Sequence, residues 1–158
     1  MRTIEVTETI AATARECFDF VAEPANIPRF MFGVKRYEPL GSRVRGPGAR
    51  FGAVVTLAGR DLDAVLEITS WSEGERMVAT SVSGPRTRGS WTFQEHDDGT
   101  TDVTLTQEYE LPGIFRLLPQ APIDAGVRRE LGRSLERLKE LVEKERSPAP
   151  RRSRATRA

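Results

Sequence analysis

Two polar side chains stand on a strand face where apolar ones are expected. From residue 101 to 111 the chain alternates, with Val103, Leu105, Tyr109 and Leu111 on one face together with Gln107, and Asp102, Thr104, Thr106, Glu108 and Glu110 on the other. A phenol and a carboxamide on a core face need partners. Gln107 and Tyr109 therefore either bond to nearby backbone or offer a donor and an acceptor to a bound molecule, in which case the Tyr109 hydroxyl points inward. Glu8 interrupts the apolar face made by Ile4, Val6 and Ile10. It reads either as an interior carboxylate with a raised pKa that moves protons, or as a residue at an open sheet end.

Other reactive side chains lack the company their chemistry requires. His96 lies beside Asp97-Asp98-Gly99, an acidic turn that raises its pKa, and it is the only histidine. With one cysteine and one histidine there is no Cys/His metal cage and no histidine relay for a serine nucleophile, so neither metal nor cofactor is expected. Cys17 falls on an apolar helix face with no adjacent lysine or histidine, which suits an inert structural thiol. Asp61, Asp63 and Glu67 have the spacing of a strand's solvent face rather than of a metal strip. Gly46, Gly48 and Gly52 do not form a phosphate cradle, because Pro47 occupies the loop and a strand, not a helix, follows.

The elements that must position these residues follow from a chain of 158 residues with net charge +1, of which 38% are hydrophobic and 30% charged. That length and balance suit one globular domain. No apolar run approaches the roughly 18 residues of a membrane helix, and Glu5 and Glu8 spoil a leader pattern, so the location expected is cytoplasmic. Arg146, Arg151, Arg152, Arg154 and Arg157 lie after the last acid, interleaved with Pro148 and Pro150. Residues 146–158 are expected to be a disordered basic tail on an acidic body spanning 1–145.

Residues 3–10 alternate as a strand. Thr13 and Glu16 make a capping box ahead of Ala14, Cys17, Phe18 and Val21 at helical spacing, and Pro24 and Pro28 bracket a second short turn leading to Phe30 and Phe32. Turn chemistry then divides six strands near 34–40, 50–58, 61–71, 75–83, 87–96 and 101–111, with Gly59-Arg60 as a two-residue hairpin and Glu73-Gly74, Gly84-Pro85 and Asp98-Gly99 as further reversals. Pro112-Gly113 ends the meander. Val127, Leu131, Leu135, Leu138 and Val142 repeat every three or four residues and predict one long helix. The class is α+β, in the order β, αα, six β, α. Seven antiparallel strands with one apolar face must curl around that helix.

This order resembles the START-like (SRPBCC) superfamily, and within it the polyketide cyclase/dehydrase-type proteins. The likeness is carried by Ile10-Ala11-Ala12 with Phe18, Asn26-Ile27-Pro28-Arg29-Phe30, Gly46-Pro47-Gly48-Ala49-Arg50, Gly89-Ser90-Trp91-Thr92-Phe93, Gly99-Thr100 and Tyr109-Glu110-Leu111-Pro112. The resemblance implies a helix-grip fold with a cavity between sheet and terminal helix. It implies no single activity, since the superfamily includes lipid and polyketide binders, aromatase/cyclases, coenzyme Q-binding proteins and ribosome-association inhibitors.

In such a fold Phe30, Phe32, Phe115 and Leu118 come from segments that rim the cavity, while Trp91 and Phe93 share a face beneath it. Core filling and ligand lining both fit these residues, and for Phe115 and Leu118, on a proline-interrupted segment, a lid also fits. The expected ligand-binding set is thus Phe30, Phe32, Trp91, Phe93, Gln107, Tyr109, Phe115 and Leu118. The leading expectation is a monomer or homodimer that binds a hydrophobic small molecule, polyketide-, aromatic- or lipid-like. A second is a cyclase or dehydratase using Tyr109, Gln107 or Glu8. A third is a ribosome- or RNA-associating protein, supported only by the basic tail, whose arginines lack interleaved aromatics and so predict no specific nucleic-acid contact.

Overall fold

The computed structural model describes residues 1–111 and 113–146. Alternation makes the strands, and short turns make them antiparallel neighbours. β1 (Arg2–Ile10) is followed by α1 (Ala14–Ala22), a short 3-10 turn at Pro24–Asn26 and α2 (Ile27–Phe30). The meander then runs through β2 (Val34–Pro39), β3 (Arg50–Leu57), β4 (Arg60–Ser72), β5 (Arg76–Ser83), β6 (Thr87–Glu95) and β7 (Thr101–Tyr109). After a 3-10 turn at Gly113–Phe115, α3 spans Gln120–Arg146. The sheet order is β1-β7-β6-β5-β4-β3-β2, antiparallel throughout.

Local chemistry sets the ends of these elements. The Thr13 hydroxyl accepts from the Glu16 N–H at 3.1 Å, and the Glu16 carboxylate accepts from the Thr13 N–H at 2.9 Å, so the capping box starts α1 as expected. The β3–β4 reversal differs from the expected one. Leu57 pairs with Arg60, so the central residues are Ala58 and Gly59 rather than Gly59 and Arg60. Both have positive φ, 51° and 81°, as a two-residue turn matching the strand twist requires.

α3 lies across the concave face of the sheet through Leu131, Ser134, Leu135, Leu138, Leu141 and Val142, all buried. The fully buried Phe18 meets Trp71 and Phe93 edge-on at centroid distances of 5.0 and 5.3 Å, and Phe30 meets Trp91 at 5.9 Å. A smaller cluster, Ala49, Phe51 and Ile68, fills the far end of the sheet, where Tyr37 stacks on Phe51 at 4.7 Å.

The expected tail began at Arg146, but Arg146 is the last residue of α3. Its guanidinium donates to the Ala11 carbonyl at 2.7 Å and pairs with Glu16 at 3.2 Å, which extends the helix against α1. The rest of the expected tail, 147–158, lies outside the described residues.

Candidate functional site

Between the sheet and the N-terminal half of α3 the packing leaves a cavity of about 190 Å³. It exists because small residues face it: Ala79 on β5 and Gly89 on β6 leave room that Ile27, Met31, Val34, Leu66, Trp91 and Leu131 enclose with apolar surface. The cavity continues into a groove of about 440 Å³ between the β3–β4 hairpin and α3. The two share Thr56, Leu57, Val127 and Glu130.

Three of the eight expected ligand-binding residues, Trp91, Gln107 and Tyr109, are on the cavity wall. The other five are elsewhere. Phe30 and Phe93 are fully or nearly fully buried in the aromatic core. Phe32 is 45% exposed, outside the sheet, with the Arg133 guanidinium 4.8 Å above its ring. Phe115 is buried under the 3-10 turn, whereas Leu118 on the same segment is exposed and lines no part of the cavity. Pattern alone does not separate these cases, because an aromatic side chain buries equally well in a core, under a turn or on a ligand wall.

Tyr109 is only 4% exposed, and its ring forms wall, but its hydroxyl is not presented to the cavity as expected. It donates to the carboxylate of Asp124 on α3. Arg2 holds the same carboxylate, with Nε 2.7 and 2.8 Å from its two oxygens. Arg2 and the Tyr109 hydroxyl keep Asp124 below the usual carboxylate range, while burial and the Asp124 charge push the Tyr109 phenol well above its own.

Gln107 takes the backbone option on its donor side, with Nε2 3.3 Å from the Glu108 carbonyl. Its Oε1 lies over Gly89, where a Cβ would approach to 3.2 Å. Among the described residues nothing donates to that oxygen, which leaves one acceptor on the apolar wall.

A second acceptor was not expected from the sequence. Glu130 on α3 faces both cavity and groove, and burial pushes its carboxyl above the ordinary range against the pull of Arg133. A hint was available: Val127 and Ser134 stand three residues before and four after Glu130, the spacing that puts all three on one face of the helix.

The remaining candidates sit apart from this site. Glu8 is half-exposed opposite Val103 on the β1–β7 ladder and does not line the cavity. His96 is exposed at the β6–β7 turn, 3.0 Å from Asp102, which raises its pKa. Cys17 is buried, and desolvation pushes its thiol up to about 12. Asp61 bonds Lys35 at 2.9 Å and Glu67 bonds Arg50 at 2.7 Å on the outer face. No group of three or more His, Cys, Asp and Glu is placed to hold a metal among the described residues. No helix there is long and apolar enough to cross a membrane.

Comparison of the whole chain with known proteins agrees with this architecture. None of the curated proteins compared matches the chain. Among solved structures, TTHA0849 from Thermus thermophilus superposes at a TM-score of 0.79 with 21% identity, covering 92% of this chain and 100% of that one. The Zhui aromatase/cyclase from Streptomyces sp. R1128 follows at 0.75 and 19%, covering 94% and 97%. The di-domain ARO/CYC StfQ from the steffimycin biosynthetic pathway matches at 0.65 and 27%, covering 90% of this chain and 45% of that one. A START superfamily protein from Mycobacterium smegmatis shares the fold at 0.67. The helix-grip fold is thus shared with these structures, and the match of residues 1–143 to the family model assigns the chain to the polyketide cyclase / dehydrase and lipid transport family.

Proposed function

We propose that this protein binds a hydrophobic small molecule, polyketide-, aromatic- or lipid-like, in the cavity between its sheet and α3. The observation that carries this reading is an apolar cavity joined to a surface groove, with isolated acceptors on Gln107 and Glu130. Burial of an apolar body there supplies affinity, and a few fixed polar groups orient it. A second reading, catalysis of cyclisation or dehydration in the same cavity, draws support from the likeness to the Zhui and StfQ aromatase/cyclases. In that reading the cavity would hold a flexible chain in one folded conformation and so lower the entropic barrier to ring closure.

Titration with the neutral fluorescent dye N-phenyl-1-naphthylamine tests binding. We expect saturable uptake of one dye per chain, lost in Ala79→Leu, which fills the cavity, while circular dichroism shows the fold retained. Uptake that is absent, or indifferent to Ala79→Leu, overturns the reading. Native mass spectrometry of freshly purified protein then identifies any retained ligand, and incubation of a linear polyketide with the protein distinguishes a binder from a cyclase.

A further inference from the structure

Glu130 is a carboxylate without a partner at the junction of cavity and groove. It is half-buried, and among the described residues no N–H or O–H donates to it. Arg133, one turn along α3, has its guanidinium over the Phe32 ring instead.

Its position is built by its neighbours. The Ser134 hydroxyl, fully buried, donates to the Glu130 carbonyl at 2.9 Å and accepts from the Phe32 N–H at 3.1 Å. This clamps the helical turn that carries Glu130 onto the chain at Phe32 and Gly33. A Cβ at Gly33 would lie 2.4 Å from Glu130 Oε1, so the carboxylate occupies the space that any larger residue would fill. Gly33 is itself fixed, because its carbonyl accepts from the Thr56 N–H at 2.8 Å.

An apolar ligand covering this carboxylate would strip its water and return nothing, whereas a ligand hydroxyl would replace the lost hydrogen bond with a charge-assisted one. A ligand carboxylate would meet like charge. We propose that Glu130, held against Gly33, is the specificity-determining residue of the cavity, and that the ligand is an apolar molecule with a hydroxyl donor at the end facing α3. The assignment rests on the binding function proposed above.

The test uses three molecules with the same two rings and one differing substituent: 2-naphthol, 2-methylnaphthalene and 2-naphthoate. Each competes with N-phenyl-1-naphthylamine for the full chain, for Glu130→Leu, for Glu130→Gln and for Gly33→Ala, with thermal unfolding confirming that each variant is folded. In Glu130→Leu the preference for 2-naphthol over 2-methylnaphthalene should fall about tenfold or more, because a pocket built to bond a hydroxyl loses that discrimination with its acceptor. Gly33→Ala, which displaces the carboxylate without removing it, should also reduce the preference. Glu130→Gln, which removes the charge and keeps an acceptor, should admit 2-naphthoate. A preference that is the same within about twofold in the unmodified chain and in Glu130→Leu overturns the assignment while binding in the cavity stands. Failure of the unmodified chain to take up the dye or any of the three molecules overturns both.

Discussion

The hydroxyl of Tyr109 donates to the carboxylate of Asp124, so the last residue of β7 is tied to the start of α3 by a side chain whose ring is also cavity wall. Arg2 on β1 grips the same carboxylate, and three segments distant in sequence meet at one charge. The bond makes Tyr109 a structural residue at its hydroxyl and a lining residue at its ring.

Tyr109→Phe should therefore cost about 1.5 to 3 kcal/mol of stability, the range for a hydrogen bond to a charged group, and leave affinity for an apolar dye unchanged. Urea unfolding midpoints paired with dye titration check this. Unaltered stability together with weakened binding of a hydroxylated ligand would mean that the hydroxyl serves the cavity after all.

Leu135 is 1% exposed at the middle of the buried face of α3, and Arg137, two residues on, is exposed and pairs with Glu140 at 3.2 Å. Leu135→Ala leaves a void in the core and should cost about 2 to 5 kcal/mol. Arg137→Ala should stay within about 0.5 kcal/mol. Equal losses in thermal or urea unfolding would contradict the helix orientation.

His96 is the only histidine, so one resolved imidazole signal reports its titration. The hydrogen bond and charge of Asp102 raise its pKa above 6.5. A raised folded-state pKa contributes stability that is complete below the unfolded value and is lost as pH rises through the folded one. The pair should thus stabilise the β6–β7 turn in mildly acidic solution and cease to do so toward alkaline pH. An NMR titration should place the midpoint above 6.5, and Asp102→Asn should bring it down. A midpoint insensitive to Asp102→Asn would show that the pair does not form in solution.

Gly84 and Gly99 both have positive φ, at 87° and 86°, but different surroundings. A Cβ at Gly99 meets open space, whereas one at Gly84 would lie 2.3 Å from the Asp63 carbonyl oxygen and 2.8 Å from the Ala64 Cα. Gly99→Ala should cost about 1 to 2 kcal/mol for the left-handed backbone alone. Gly84→Ala adds a collision with backbone and should cost about 1 to 3 kcal/mol more. Comparison of the two unfolding midpoints decides it, and equal losses would put the β5–β6 reversal in another register.

Local chemistry was enough for most of the architecture. The alternation in 3–10 and 101–111, the Thr13/Glu16 capping box and the Asp98-Gly99 turn each act within a few residues, and the observed strands end within about two residues of where those patterns place them. The inward faces of Trp91, Gln107 and Tyr109 follow from the same period of two. The curl of the sheet around α3 decided the rest, because it brings together groups that no local pattern connects. Arg2 finds Asp124 across 122 positions of sequence, the Phe32 N–H finds Ser134 across 102, and Gly33 yields its space to Glu130. It also sorted the aromatics, sending Phe30 and Phe93 into the core and Phe32 outside under Arg133, a choice that depends on which way each segment turns after packing and not on the residue type.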